Sequence, residues 1–164
     1  MKWGAIYRIL IRERPLKLIQ SRLTVRASVQ EVWAMLSAFD QVDAWMPGIS
    51  NVAYTTHEEA CVGAARQLTI GPLTLLEEIT TWEPESELAY TIAGLPSVVT
   101  IAHNRWNIEP VEDGTRVTIT SIIEMSRGFR FLEERAKKTM KGQLDTFLSG
   151  MAYHLHQAQT RIAR

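Results

Sequence analysis

The last quarter of the chain limits what the rest can fold into. From about Gly128 to Ala163, apolar residues recur at steps of three and four: Leu132, Ala136, Met140, Leu144, Phe147, Leu148, Met151, Leu155, Ala158 and Ile162. That spacing keeps one face of an α-helix apolar for about nine turns. Glu133, Lys137, Lys138, Lys141 and Arg161 fall on the opposite side, as a solvated back requires. A helix of this length with one dry face must lie across a second apolar layer.

The preceding residues read as a sheet that supplies that layer. Leu18 to Ala27 alternates and is rich in branched residues, which predicts the first strand. Ser28 stands three residues before Glu31, the spacing of a capping box, in front of an amphipathic helix carrying Val29, Val32, Trp33, Leu36 and Phe39. A second short helix starts at Asp40 and ends by Trp45-Met46-Pro47, because Pro47 disfavours helix at the residue before it. Strands are expected at about 50–57, 63–70, 73–82, 87–93, 98–109 and 115–125. A turn at Gly71-Pro72 sets Arg66 opposite Glu77 and Leu68 opposite Leu75. Continuing across the loop at 83–86 sets Ile79 opposite Tyr90 and Glu77 opposite Ile92. A turn at Asp113-Gly114 sets Ile108 opposite Ile119 and Trp106 opposite Ser121. Because strand side chains alternate, Arg66, Leu75, Glu77, Tyr90 and Trp106 all belong to inner faces. The expected class is α+β: a curved antiparallel sheet of about seven strands around a long C-terminal helix, with two short helices between strands one and two. Residues 1–17 read as an N-terminal arm and 18–164 as one ligand-binding domain.

Charge and cysteine content narrow the setting. Eighteen Lys and Arg balance eighteen Asp and Glu, so no net field recruits nucleic acid. The charges are nonetheless sorted: basic residues dominate 1–30 and 125–164, acidic ones 31–124, which suits complementary packing. Cys61 is alone, so no internal disulfide is expected and the reading is a cytoplasmic protein. No apolar run approaches bilayer-spanning length. In residues 1–17, Trp3, Ile6, Tyr7, Leu10 and Ile11 mix with Lys2, Arg8, Arg12 and Arg14. This pattern suits weak membrane contact, or an arm docked on its own domain or on a homodimer mate.

Ordered motifs carry a family resemblance. They are Ala27-Ser28-Val29-Gln30-Glu31-Val32-Trp33, Phe39-Asp40, Trp45-Met46-Pro47, Val62-Gly63-Ala64-Ala65-Arg66, Glu77 with Ile79, Trp82-Glu83-Pro84, Leu88-Ala89-Tyr90-Thr91 and Gly114-Thr115-Arg116-Val117-Thr118. In this order the chain resembles the START-like, birch-pollen-allergen-like (SRPBCC) superfamily, in particular its polyketide cyclase/dehydrase branch, from about residue 20 to 160. The resemblance implies a helix-grip fold with an apolar cavity under the long helix. It does not imply one activity, since carriers, receptors and cyclases share the scaffold.

Arg66 and Glu77 are the sharpest candidates. They form either an ion pair that fixes hairpin register, or a polar anchor for a ligand in which Glu77 is an acid or base. Tyr90 is a candidate hydrogen-bonding or catalytic group, or a core aromatic. Leu75, Trp106, Phe147, Met151 and Leu155 are the expected apolar wall. His103 and His154 read as surface residues, and the four scattered histidines make no metal site. No cofactor is expected. The reading is a protein that binds a hydrophobic or amphipathic small molecule. Its alternatives are a polyketide cyclase or dehydratase using Glu77 or Tyr90, and a membrane-associated quinone or lipid chaperone.

Overall fold

The computed structural model describes residues 18–56 and 59–162. The arm assigned to 1–17, with its membrane and dimer readings, lies outside them. The elements are β1 (Leu18–Val25), α1 (Val29–Ser37), a 3₁₀ segment (Phe39–Ala44), β2 (Ile49–Tyr54), β3 (Ala65–Ile70), β4 (Leu73–Glu83), β5 (Glu87–Ala93), β6 (Val99–Val111), β7 (Gly114–Met125), a second 3₁₀ segment (Arg127–Leu132) and α2 (Glu133–Ile162). The seven strands form one antiparallel sheet in the order β1-β7-β6-β5-β4-β3-β2. The helical crossover between β1 and β2 therefore carries the chain from one edge to the other.

Local chemistry sets most of these boundaries. The capping box forms: Ser28 Oγ accepts from Glu31 N at 3.2 Å, and Glu31 Oε2 accepts from Ser28 N at 2.7 Å. The Ser28 N–H, with the Ser28 hydroxyl that also donates to Glu31 Oε2 at 2.9 Å, holds the Glu31 carboxyl below its ordinary pKa. The β3–β4 hairpin has the expected register, with Arg66 opposite Glu77 and Leu68 opposite Leu75. Tyr90 faces Ile79 as expected, by a different route. The β4–β5 turn closes at Glu83 and Glu87, one residue tighter than a loop of 83–86, and an irregularity between Ile79 and Thr81 restores the pairing.

Two expectations need correction here. The β6–β7 turn is Glu112-Asp113, not Asp113-Gly114, so Trp106 faces Ile119, Ile108 faces Val117, and Ser121 faces Asn104. Gly114 opens β7 at φ 137°, and a Cβ there would collide with the carbonyl of Val25. A residue with a side chain could not take that place. The displacement is two residues, so every side chain keeps its face. The long helix also begins later than Gly128, because Arg127–Leu132 is a 3₁₀ segment.

The helix packs chiefly on β1 and the 45–47 corner. Leu144, Phe147, Leu148, Met151 and Leu155 are buried, whereas Leu132 and Ala136 are half-buried and Ala158 is exposed. Asp145 accepts a hydrogen bond from Ser21 of β1 at 2.6 Å, and Gln159 donates to the Arg26 carbonyl at 2.8 Å. At Gly150 the helix touches the corner after the 3₁₀ segment: a Cβ would meet the Trp45 carbonyl oxygen, and Pro47 Cδ at 2.7 Å. Gly142 meets nothing within 4 Å. Of the two helix glycines, only Gly150 answers a packing demand.

Candidate functional site

The hairpin register brings Arg66 and Glu77 together on the inner face. Arg66 Nε and Nη2 both reach Glu77 Oε2, at 2.8 and 2.5 Å. The guanidinium thus engages one carboxylate oxygen rather than forming a two-oxygen fork. Its Nη1 donates to the carbonyl of Phe39, and its Cζ sits 3.7 Å above the Phe39 ring. Both partners are buried, at 3% and 5% exposure. Arg66 therefore ties β3 and β4 to the 3₁₀ segment, and three of its donors are taken by the protein itself.

A second polar group lies beside it. The Tyr90 hydroxyl accepts from Trp106 Nε1 at 3.2 Å and from Asn104 Nδ2 at 3.4 Å. Asn104 Oδ1 in turn accepts from Ser121 Oγ at 2.6 Å. Burial, reinforced by the Glu77 charge, pushes the Tyr90 phenol up to about 12, so it keeps its proton at neutral pH. Its oxygen already accepts twice, which leaves its O–H to donate. The Tyr90 ring lies 5.8 Å from Phe39, with the Arg66 guanidinium 5.6 Å above it. The ring of Trp45 stands edge-on to Trp106 at 5.8 Å, and its buried Nε1 has no hydrogen-bond partner.

Arg66, Glu77, Tyr90 and Trp106 are thus neighbours, and Leu75, Phe147, Met151 and Leu155 share one continuous core with Tyr90 and Trp106. Two recesses lie elsewhere. One, of about 1040 Å³, lies at the sheet end between the β1–α1 connection, the β6–β7 turn and Gln159. The other, of about 430 Å³, lies between residues 43–49 and the C-terminal half of α2. Neither is lined by Arg66, Glu77, Tyr90 or Trp106.

Sequence reasoning missed Asn104, Ser121 and Trp45. Strand parity could have found the first: Asn104 stands two residues before Trp106 and shares its face. His103 is a correction. Its outward side was read rightly, but it is buried, flanked by Thr91 and Ile122 on the neighbouring strands, with Nε2 3.3 Å from Thr80 Oγ1. Burial and the nearby Arg105 charge lower its pKa from the ordinary 6.5.

Comparison with known proteins supplies the context. A family described as "Polyketide cyclase / dehydrase and lipid transport" matches residues 18–156. A comparison with curated proteins gives no match. Among solved structures, XoxI of Bacillus cereus is similar at TM-score 0.74 and 16% identity, over 88% of this chain and 99% of that one. Norcoclaurine synthase of Thalictrum flavum is similar at TM-score 0.72 and 16% identity, over 88% and 97%. The di-domain aromatase/cyclase StfQ of the steffimycin pathway is similar at TM-score 0.70 and 17% identity, over 98% of this chain but 56% of that one. At these identities the likeness establishes the shared helix-grip architecture.

Proposed function

Since the chain belongs to the polyketide cyclase / dehydrase and lipid transport family of the SRPBCC superfamily, we propose that it holds a hydrophobic or amphipathic small molecule between the sheet and α2. The supporting observation is the unpartnered Trp45 N–H beside the Trp106–Tyr90–Asn104–Ser121 chain. A buried donor without an acceptor costs on the order of 1–3 kcal/mol. Convergent polar groups within an apolar core are the ordinary make-up of a small-molecule site. The Trp45 N–H and the Tyr90 O–H suit an acceptor such as a carbonyl or ether oxygen. Leu75, Trp106, Phe147, Met151 and Leu155 would face its apolar body.

The carrier reading is favoured over the cyclase or dehydratase reading by the state of the two candidate catalysts. Glu77 is tied to Arg66, and Tyr90 holds its proton up to about 12, far from the range of a general base at neutral pH. Native mass spectrometry of protein purified from its own host tests this. The expected result is a stoichiometric apolar adduct that solvent extraction releases. Trp45→Phe and Tyr90→Phe should each weaken its retention by about three- to tenfold, the worth of one hydrogen bond. A clean apo mass, or retention indifferent to both substitutions, counts against the carrier. Turnover of a poly-carbonyl substrate that Glu77→Gln abolishes would establish the enzyme instead.

A further inference from the structure

We propose that the sheet end formed by Leu18 and the 3₁₀ segment Arg127–Leu132 docks on an anionic lipid surface. In that segment Phe129 and Phe131 stack on each other at 6.5 Å and stand 42% and 78% exposed. Two adjacent phenylalanines turned to water carry a standing hydration cost that neither the core nor α2 relieves. Arg127 and Arg130 alternate with them, are exposed, and make no ion pair among the described residues. Residues 127–138 hold five Lys and Arg against Glu133 and Glu134.

The surrounding topology enlarges the patch. Leu18, 64% exposed, pairs with Ile122 near the end of β7, so it lies at the same end of the sheet as Phe129. Aromatic side chains ringed by arginine suit an interface where rings enter the headgroup region and cations meet lipid phosphates. The excess of positive charge argues against a second copy of the same patch. No helix of the described residues is long and apolar enough to cross a membrane, so the contact is peripheral.

The test is flotation of the full chain with vesicles of phosphatidylcholine alone, or mixed with phosphatidylserine. Binding is expected only to the mixed vesicles and should weaken as salt rises from about 0.1 to about 0.5 M. Phe129→Ser/Phe131→Ser should lower partitioning at least about tenfold. Arg127→Gln/Arg130→Gln should lower it roughly fivefold per charge and flatten the salt dependence. If the phenylalanine variant melts early, the arginine variant alone decides. Absence of vesicle binding, equal binding to neutral vesicles, or wild-type binding by both variants overturns the proposal. None of these residues belongs to the interior site, so a finding of no bound ligand leaves this test intact.

Discussion

A guanidinium held by a carboxylate, a backbone carbonyl and an aromatic ring leaves uncompensated charge behind when it is removed. Arg66→Ala strands Glu77 in a dry setting and should destabilise the fold by about 3–5 kcal/mol in urea unfolding. Arg66→Met combined with Glu77→Leu removes both charges and should lose much less, since no unpaired ion remains. A double variant as weak as the single one would mean that the Phe39 carbonyl and ring contacts dominate. His103 gives a second prediction. Its folded pKa lies below its unfolded value, so the unfolded chain binds the proton more readily. Its contribution is fully present above the ordinary 6.5 and is lost as pH falls through that value toward the lower folded pKa. His103→Gln should therefore reduce the drop in urea midpoint between about pH 7.5 and about pH 5.5. An unchanged drop would place the acid sensitivity elsewhere. At this scale the sequence was most readable where a short turn fixed register, which is why Arg66 and Glu77 could be paired in advance. Trp45 was not readable as a donor, because whether an indole N–H finds a partner depends on ring orientation and not on spacing.

The two glycines of α2 separate propensity from packing. An exposed helix glycine is less favourable than alanine by up to about 1 kcal/mol. Gly142 has open space, so Gly142→Ala should stabilise by a few tenths to about 1 kcal/mol. Gly150 has the same intrinsic preference but lies against the Trp45 carbonyl and Pro47. Gly150→Ala should destabilise by about 1–3 kcal/mol, the usual cost of overpacking. Thermal melts of the two variants moving in the same direction would sink this distinction. The apolar stripe disclosed the helix but not its working length, because periodicity continues where contact stops: Leu144 to Leu155 are covered, while Ala158 on the same stripe is exposed. The β4–β5 pairing shows a subtler limit. A turn one residue tighter than expected and one bulge near Thr80 cancel, so a correct register followed from an incomplete account of the backbone.

At the scale of the whole molecule, the sheet and helix were legible because periodicity and turn residues determine them one element at a time. The interior was not, because it depends on how closely two layers approach. That approach is fixed at particular points: Gly150 against the 45–47 corner, Ser21 with Asp145, and Arg66 with the Phe39 carbonyl. The first and last of these hold the 3₁₀ corner, which is not part of any strand ladder. A molecule entering between sheet and helix should therefore displace this corner before it disturbs β1, β6 or β7, whose ladders run the length of the strands. Ligand at a hundredfold its Kd adds about 2.7 kcal/mol to global stability. If opening of the corner admits the ligand, amide exchange at residues 39–47 and around Gly150 should be fast in the free protein and slow most on loading. The central amides of β6 and β7 should already exchange slowly and change only with global stability. Uniform slowing across the sheet and the corner would instead mean that the layers part as a whole, and would exclude a local entrance at this corner.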